Sequence, residues 1–184
     1  ATTSLGAIWS SCSPDFGING TLDRFKQIEP KVVFAADGYV YNSKNFDSLE
    51  KLEKILCKLP SVNKVVLIDY ICKNPKQIII PNSVRYDDFL SDASKPIEFE
   101  QLPFHHPVYI MYSSGTTGTP KSIVHSAGGT LLQHWKELTL HCNLMRDDCI
   151  FYFTTCGWMM WNWLISSLTI GSSIVLCDGS PFFP

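Results

Sequence analysis

The part of the sequence best suited to chemistry is a run of small polar residues closed by a lysine, 112-YSSGTTGTPK-121. Gly115 and Gly118 allow several backbone amides to turn towards one centre, which creates a concavity that can hold an anion. Lys121 adds a mobile positive charge. Many directional donors together with one cation suit a polyphosphate. The residues predicted to bind phosphate are Ser113, Ser114, Gly115, Thr116, Thr117, Gly118 and Lys121.

Two familiar phosphate loops do not fit this run. A Walker A loop needs four residues between its first glycine and Gly-Lys-Ser/Thr. Here two residues separate Gly115 from Gly118, and Lys121 follows Pro120. The dinucleotide pattern G-x-G-x-x-G is also absent from the run. The sequence therefore indicates a phosphate loop of another kind.

The run resembles the phosphate-binding signature of the AMP-forming acyl- and aryl-CoA synthetases, which are adenylate-forming enzymes. Most members continue Pro-Lys-Gly, whereas Ser122 stands here in place of the last glycine. The opening 1-ATTSLGAIWSSCSPDFG-17 and the later 154-TTCGWMMWNW-163 are similar to segments of acetyl-CoA synthetase relatives. Including Ser122, the whole pattern is most similar to the branch of the family that activates acetoacetate.

The resemblance implies a ligase that converts acetoacetate, ATP and CoA to acetoacetyl-CoA, AMP and pyrophosphate. Acetate or propionate are alternative acids, and a phosphate-binding module without catalysis is the alternative to an enzyme. In the enzyme, Lys121 is implied to be catalytic, since it would neutralise charge that builds up on the phosphates.

The resemblance also implies that Trp158, Met159 and Met160 shape the acid site. The run from Met159 to Trp163 departs from the small residues found there in acetyl-CoA synthetases. Packing of 158-WMMWNW-163 in a core is the competing interpretation, because Trp and Met at helical spacing often fill cores.

Other family motifs do not occur in this sequence. These are the Thr-Glu motif that supplies a Mg²⁺ carboxylate, the ribose-binding aspartate motif, and the C-terminal domain with its catalytic lysine. The resemblance therefore places the Mg²⁺ ligand and the CoA site outside this chain. Because the sequence lacks a starting Met and stops at 179-GSPFFP-184 just after a predicted strand, we expect a fragment of a longer protein. Alone, it is expected to be inactive and poorly soluble.

Composition excludes several classes of partner. Charged residues make up 17% of the 184 residues and the net charge is −2, so no basic patch is available for nucleic acid or an anionic membrane. The most apolar run, 158–170, is too short to span a bilayer, and no signal peptide opens the chain. We expect a cytosolic protein that binds small molecules; its oligomeric state is left open.

The cysteines and histidines indicate neither disulfides nor a metal site. Seven cysteines are dispersed without a C-x-x-C pair, a pattern typical of reduced thiols in a reducing compartment. The pair His105-His106 has no further ligand at zinc-binding spacing, so loop histidines are the preferred interpretation.

The pattern of apolar runs predicts an α/β fold of parallel-sheet layers with flanking helices, matching part of the large N-terminal domain of an adenylate-forming enzyme. Asp47 is expected to cap the helix after it by accepting from the Glu50 amide. The predicted strands are 31–37, 64–70, 108–112, 149–153 and 173–177, with a shorter candidate at 7–10. The predicted helices span about 22–28, 49–59, 84–90, 126–142 (Leu131, Leu132, Trp135 and Leu138 towards the core) and 160–169.

Within a partial adenylation domain, 1–184, two regions are expected to differ in role. Residues 1–107 form a first βαβ region and a long connection, and residues 108–184 carry the phosphate loop and the acyl pocket. Continuous apolar strands such as 32-VVFAA-36 suggest a sheet that is covered on both faces.

Overall fold

The computed structural model describes residues 1–71, 80–91, 96–113, 118–177 and 179–180. They form an α/β protein whose elements fall into two compact units. The first unit contains residues 1–13, 97–113 and 121–177; the second contains the other described residues.

The second unit is built around a parallel sheet. Its strands β1 (Val32–Ala36), β4 (Lys64–Ile68) and β5 (Ser83–Arg85) lie in the order β1-β4-β5, and all neighbours are parallel. Helices α1 (Ile18–Ile28), α2 (Leu49–Leu56) and α3 (Tyr86–Phe89) belong to the same unit. The predicted parallel sheet is thus confirmed, and α2 lies in the connection between β1 and β4.

The core of this unit consists of two apolar clusters to which the helices contribute side chains. One cluster joins α2 to the sheet and a second joins α1 to α2. Their buried members are Leu49, Leu52, Val65 and Ile80 in the first, and Leu22, Ile55 and Leu59 in the second. Val32 and Phe34, which share one face of β1, are 49% and 41% exposed. The expectation that both faces of this strand are covered is therefore wrong for the described part of the chain.

A hairpin that the sequence did not predict follows β1 directly. Strands β2 (Gly38–Tyr41) and β3 (Lys44–Asp47) are antiparallel, and Asn42 and Ser43 between them both have positive φ angles. That pair of φ values belongs to the turn type that matches the twist of a tight hairpin. The carboxylate of Asp47 then accepts from the amide of Leu49 at 2.8 Å. The cap predicted on Glu50 is therefore wrong by one residue.

Asp37 connects the end of β1 to neighbouring chain segments through hydrogen bonds. Its side chain is buried (3% exposed), and one carboxylate oxygen accepts from the amides of Tyr70 and Ile71 at 2.9 and 3.0 Å. Its own amide donates to Ile68, and its carbonyl accepts from the Ser48 amide. Asp37 therefore links three chain segments through one residue.

The first unit is organised around an antiparallel hairpin. Strand β6 (Pro107–Ser113) pairs with β7 (Lys121–Ser126), and α4 (Ala127–Lys136) follows β7 and continues as a π-helical turn, Glu137–His141. The predicted strand and helix are confirmed, but the helix does not follow the loop immediately, since β7 intervenes. Two short parallel strands, β8 (Cys149–Ile150) and β9 (Ser173–Ile174), enclose α5 (Met159–Ser166) along the chain.

The apolar side of α4 faces solvent in this chain. Leu131, Leu132 and Trp135 are 52%, 62% and 48% exposed, whereas Leu138 is fully buried. The prediction that all four face the core is therefore wrong for the first three. Among the described residues, none of the helices is both long and apolar enough to cross a membrane.

The first residues of the chain run beside β6. The amide of Trp9 donates to Val108 at 3.0 Å, and the amide of Ile110 donates to Trp9 at 2.8 Å. This parallel bridge is all that forms of the strand predicted at 7–10.

Candidate functional site

The two ends of the predicted phosphate loop lie directly opposite each other. Ser113 ends β6, Lys121 begins β7, and the two are paired in the antiparallel register. Side chains at directly opposed positions of a hairpin point to the same face. The hydroxyl of Ser113 and the exposed ammonium of Lys121 are therefore presented on one face, at the mouth of the hairpin loop.

The described remainder of the loop has the backbone that its sequence predicts. Gly118 has a φ of +147°, which a residue with a side chain rarely adopts, and apart from its chain neighbours no atom of the described residues lies within 4 Å of where its Cβ would be. In the second unit, the side-chain amide of Gln27 on α1 donates to the carbonyl of Pro120 at 2.7 Å. The predicted donors Ser114, Gly115, Thr116 and Thr117 lie outside the described residues.

Ser122, the departure from the family signature, sits in β7 opposite Tyr112. Among the described residues, Ser122 is not one of the non-glycine residues that have a positive φ angle. A side chain is therefore accommodated there without backbone strain.

The helix after the hairpin does not offer its first amides to an anion. The amides of Ala127 and Gly128 donate to the carbonyls of His106 and Phe104 at 2.7 and 2.9 Å. In many phosphate loops the bound anion occupies the N-terminus of the following helix. Here those two donors are already satisfied by carbonyls of the chain.

The predicted acid-binding residues occupy the start of α5. Trp158 precedes the helix and is 62% exposed, Met159 is 45% exposed, and Met160 is half-buried. Core packing in this chain involves Leu164, further along the same helix, which is 2% exposed. Trp158 and Met159 therefore remain available to a ligand.

The acid-binding segment and the strand that leads into the phosphate loop are neighbours within the first unit. The side-chain amide of Asn162 on α5 donates to the sulfur of Met111 on β6 at 3.5 Å. Met111 is two residues before Ser113, where the loop begins. This contact sets α5 against the loop end of β6.

The N-terminal segment makes a second connection between the same two regions. The hydroxyl of Ser10 donates to the carbonyl of Ile110 at 2.9 Å and lies 3.1 Å from the hydroxyl of Tyr112. The next residue, Ser11, donates to the carbonyl of Cys156, and the thiol of Cys156 donates to Cys12 at 3.4 Å. Residues 10–12 are thus bonded to β6 on one side and to the turn before Trp158 on the other.

A buried histidine joins α4 to α5. Nδ1 of His134 lies 2.8 Å from the hydroxyl of Ser166, and that hydroxyl donates to the carbonyl of Asn162 at 2.8 Å. Because a hydroxyl has one proton, Ser166 accepts from His134, whose Nδ1 is therefore protonated. Burial lowers the pKa of His134, nearby His125 lowers it further, and Glu137 opposes the shift. Burial also lowers the pKa of His125.

This histidine should make folding sensitive to mild acid. Its pKa in the folded protein lies below the value near 6.5 of the unfolded chain, so below pH 6.5 the unfolded state takes up the proton first. We expect the free energy of unfolding to be unaffected above that pH and to fall as the pH drops towards 5, by at most about 1.4 kcal/mol per pH unit for one proton. Thermal unfolding of the full-length protein between pH 5 and 8 measures the effect.

His134→Asn is the matched variant, since an amide can still donate to Ser166 but does not titrate. Its midpoint should depend less on pH than that of the wild type. Equal pH dependence in both proteins would show that His134 is not responsible.

The described residues contain no metal site and several free thiols. No three His, Cys, Asp or Glu side chains converge among residues that the structure describes. The ring of His106 contacts the carbonyl of Gly6 at 2.9 Å, in keeping with a structural histidine. Cys57, Cys142, Cys149 and Cys177 are free and exposed.

Comparison with known proteins gives consistent results over the whole chain. A family model described as AMP-binding enzyme matches residues 1–184. Acetoacetyl-CoA synthetase from Mus musculus is 57% identical over 190 residues, which cover 100% of this chain and 28% of that protein. Malonamoyl-CoA synthetase from Penicillium aethiopicum is 43% identical over 192 residues, covering 100% of this chain and 26% of that protein.

A solved structure agrees with the fold. Acetoacetyl-CoA synthetase from Streptomyces lividans superposes with a TM-score of 0.92 at 44% identity, covering 100% of this chain and 28% of that one. The chain therefore spans little more than a quarter of the length of these relatives.

Proposed function

The chain belongs to the AMP-binding enzyme family, and we propose that the full-length protein is an acid–CoA ligase that forms acetoacetyl-CoA, AMP and pyrophosphate from acetoacetate, ATP and CoA. In the first step the carboxylate of the acid attacks the α-phosphate of ATP, and pyrophosphate leaves. In the second step the thiol of CoA displaces AMP from the acyl-adenylate.

One observation carries this proposal: the contact between Asn162 on α5 and Met111 on β6. Adenylate formation requires the carboxylate and the triphosphate to meet, and holding two reactants together removes much of the barrier. An acid bound beside Trp158 and Met159 would lie close to the strand that ends in Ser113, where the phosphate loop starts. Phosphate binding alone would not require such an arrangement.

Within this arrangement the loop is proposed to bind the β- and γ-phosphates. Ser113, Ser114, Gly115, Thr116, Thr117 and Gly118 would supply hydroxyl and amide donors. Lys121 would neutralise the charge that accumulates as pyrophosphate departs, which makes it the catalytic residue of the chain. Its position opposite Ser113 directs its charge to the mouth of the loop.

The acid is proposed to be acetoacetate, bound by Trp158, Met159 and Met160. The names of two relatives support an acyl group with a carbonyl oxygen at its third carbon, since both acetoacetyl and malonamoyl have one. Acetate and propionate lack it. An acid of the malonamate type is the second candidate.

Three further features of the full-length protein are proposed, which concern Mg²⁺, cellular location and the roles of its two regions. Mg²⁺, when bound, would offset the charge of the phosphates, with its carboxylate ligand and the CoA site lying outside this chain. We propose a cytosolic location. Within the partial adenylation domain, residues 1–107 would serve as scaffold and residues 108–184 would carry the phosphate loop and acid site.

The test is release of AMP by the purified full-length protein with ATP, Mg²⁺ and CoA. We expect release with acetoacetate to exceed that with acetate or propionate by at least about tenfold, because of these three acids only acetoacetate offers a carbonyl oxygen at its third carbon to a polar group of the site. Malonamate is included as a comparison. Tight ATP binding with no acid-dependent AMP release would instead favour a phosphate-binding module.

A further inference from the structure

A buried hydroxyl without a hydrogen-bond partner lies in the proposed acid-binding segment. Among described residues, the side chains that bury such a hydroxyl are those of Ser48, Tyr109, Thr155 and Ser167. Thr155 alone belongs to 154–163. An unpaired buried polar group is rare and destabilising, so each instance requires an explanation.

The turn that contains Thr155 does not satisfy this hydroxyl with its own backbone. The carbonyl of Thr155 already accepts from the amide of Trp158 at 3.0 Å and from the hydroxyl of Thr154 at 3.5 Å. The carbonyl of Cys156 is taken by Ser11. These two carbonyls therefore have donors already, and the hydroxyl of Thr155 itself has no partner among the residues that the structure describes.

We propose that the hydroxyl of Thr155 donates a hydrogen bond to the carbonyl oxygen at the third carbon of the acyl acid, and so selects 3-oxo acids over unsubstituted ones. This inference rests on the proposed function. Trp158, Met159 and Met160 offer mainly apolar surface, which suits the carbon skeleton but does not distinguish a ketone from a methylene. A hydroxyl that stays unpaired without the ketone provides that distinction, because binding an acid that lacks it leaves the donor buried and unsatisfied.

The hydroxyl can change its direction by a simple rotation. The oxygen itself is shielded from water, but Thr155 as a residue is only half-buried. Its Cβ carries a hydroxyl and a methyl group, so a rotation of 120° about the Cα–Cβ bond exchanges their places between staggered rotamers. This rotation requires little free energy, because the hydroxyl of Thr155 has no hydrogen bond to a described residue that it would break.

The experiment compares Thr155→Val with Thr155→Ser in the full-length protein. Valine has the shape of threonine without the hydroxyl, and serine keeps the hydroxyl. Acid-dependent AMP release is measured with acetoacetate and with butyrate, which has the same four-carbon skeleton and no ketone. We expect the ratio of kcat/KM for acetoacetate to that for butyrate to fall about tenfold to hundredfold in Thr155→Val and to stay within about threefold of wild type in Thr155→Ser.

Thermal unfolding of both variants without substrate supplies a second measurement. Since Thr155→Val removes an unpaired buried hydroxyl, its midpoint should be equal to or above that of the wild type. A lower midpoint would show that the protein itself satisfies the hydroxyl, and would overturn the inference even if the ratio changed.

The remaining outcomes separate this inference from the proposed function. A wild-type protein that releases AMP with acetoacetate, together with an unchanged ratio in Thr155→Val, overturns the role of Thr155 alone. A wild-type protein without acetoacetate-dependent AMP release overturns the proposed function and the inference with it.

Discussion

Replacing Lys121 by alanine in the full-length protein should reduce ATP–pyrophosphate exchange by about 10²- to 10³-fold, the range found when one donor to a developing negative charge is removed. Lys121 is exposed and paired with Ser113 at the mouth of the loop, so its charge is available to the proposed phosphate site. The KM for the acid should change far less than kcat, because the lysine acts on charge that develops in the transition state.

Lys136→Ala is the matched control. Lys136 is also a surface lysine of the first unit, but it contacts Glu137 at 3.1 Å on α4, away from the loop. Its loss should leave exchange unchanged. Wild-type exchange in Lys121→Ala, or an equal loss in both variants, would remove Lys121 from the catalytic step.

The second large effect is expected for stability. Asp37→Ala should lower the free energy of unfolding by about 3 kcal/mol, because the amides of Tyr70 and Ile71 lose a carboxylate acceptor and each such bond contributes roughly 1.5–3 kcal/mol. That is a large part of the total stability of a typical domain, about 5–15 kcal/mol. Denaturant unfolding measures the total, and hydrogen exchange at the two amides reports the local loss.

Asp37→Asn is the matched variant, because asparagine has the shape of aspartate and its side-chain oxygen can still accept from the amides of Tyr70 and Ile71. It should retain more than half of the stability that alanine loses. Asp23→Ala, on the exposed side of α1, should have little effect. Normal protection of the amides of Tyr70 and Ile71 in Asp37→Ala would contradict the role described for this carboxylate.

Part of the fold could be read from sequence because burial leaves a local pattern. The runs containing Val33 and Val65 are apolar for several residues, the segment containing Leu52 has apolar residues at helical spacing, and each forms the predicted strand or helix. By contrast, β7 reads Lys-Ser-Ile-Val-His-Ser, and β3 is fully exposed. Strands defined by pairing with a neighbour, and not by burial, carry little signal of their own.

The spacing of apolar residues correctly predicted the helix α4, but it did not predict that most of its apolar side is exposed. Leu131, Leu132 and Trp135 recur at helical spacing and do share an apolar side, yet they are exposed in this chain. Periodicity shows which side of a helix is apolar; whether a partner for it lies within the same stretch of chain is a separate matter. The candidate site was predicted from a motif, and the contact between Asn162 and Met111 could not be, because it joins residues 51 positions apart.

The position of residues 9–12 has a consequence for the order in which the protein folds. Ser10 and Ser11 are bonded to residues 100 and 145 positions further along the chain. During synthesis they leave the ribosome long before those partners exist, whereas β1, α2 and β4 find theirs within some forty residues. Contacts of long sequence separation form slowly, and domains fold as their segments emerge. The segment that bridges β6 and the turn before Trp158 is therefore made before its partners and becomes structured only after them, so the proposed active site is assembled late in the folding of this region.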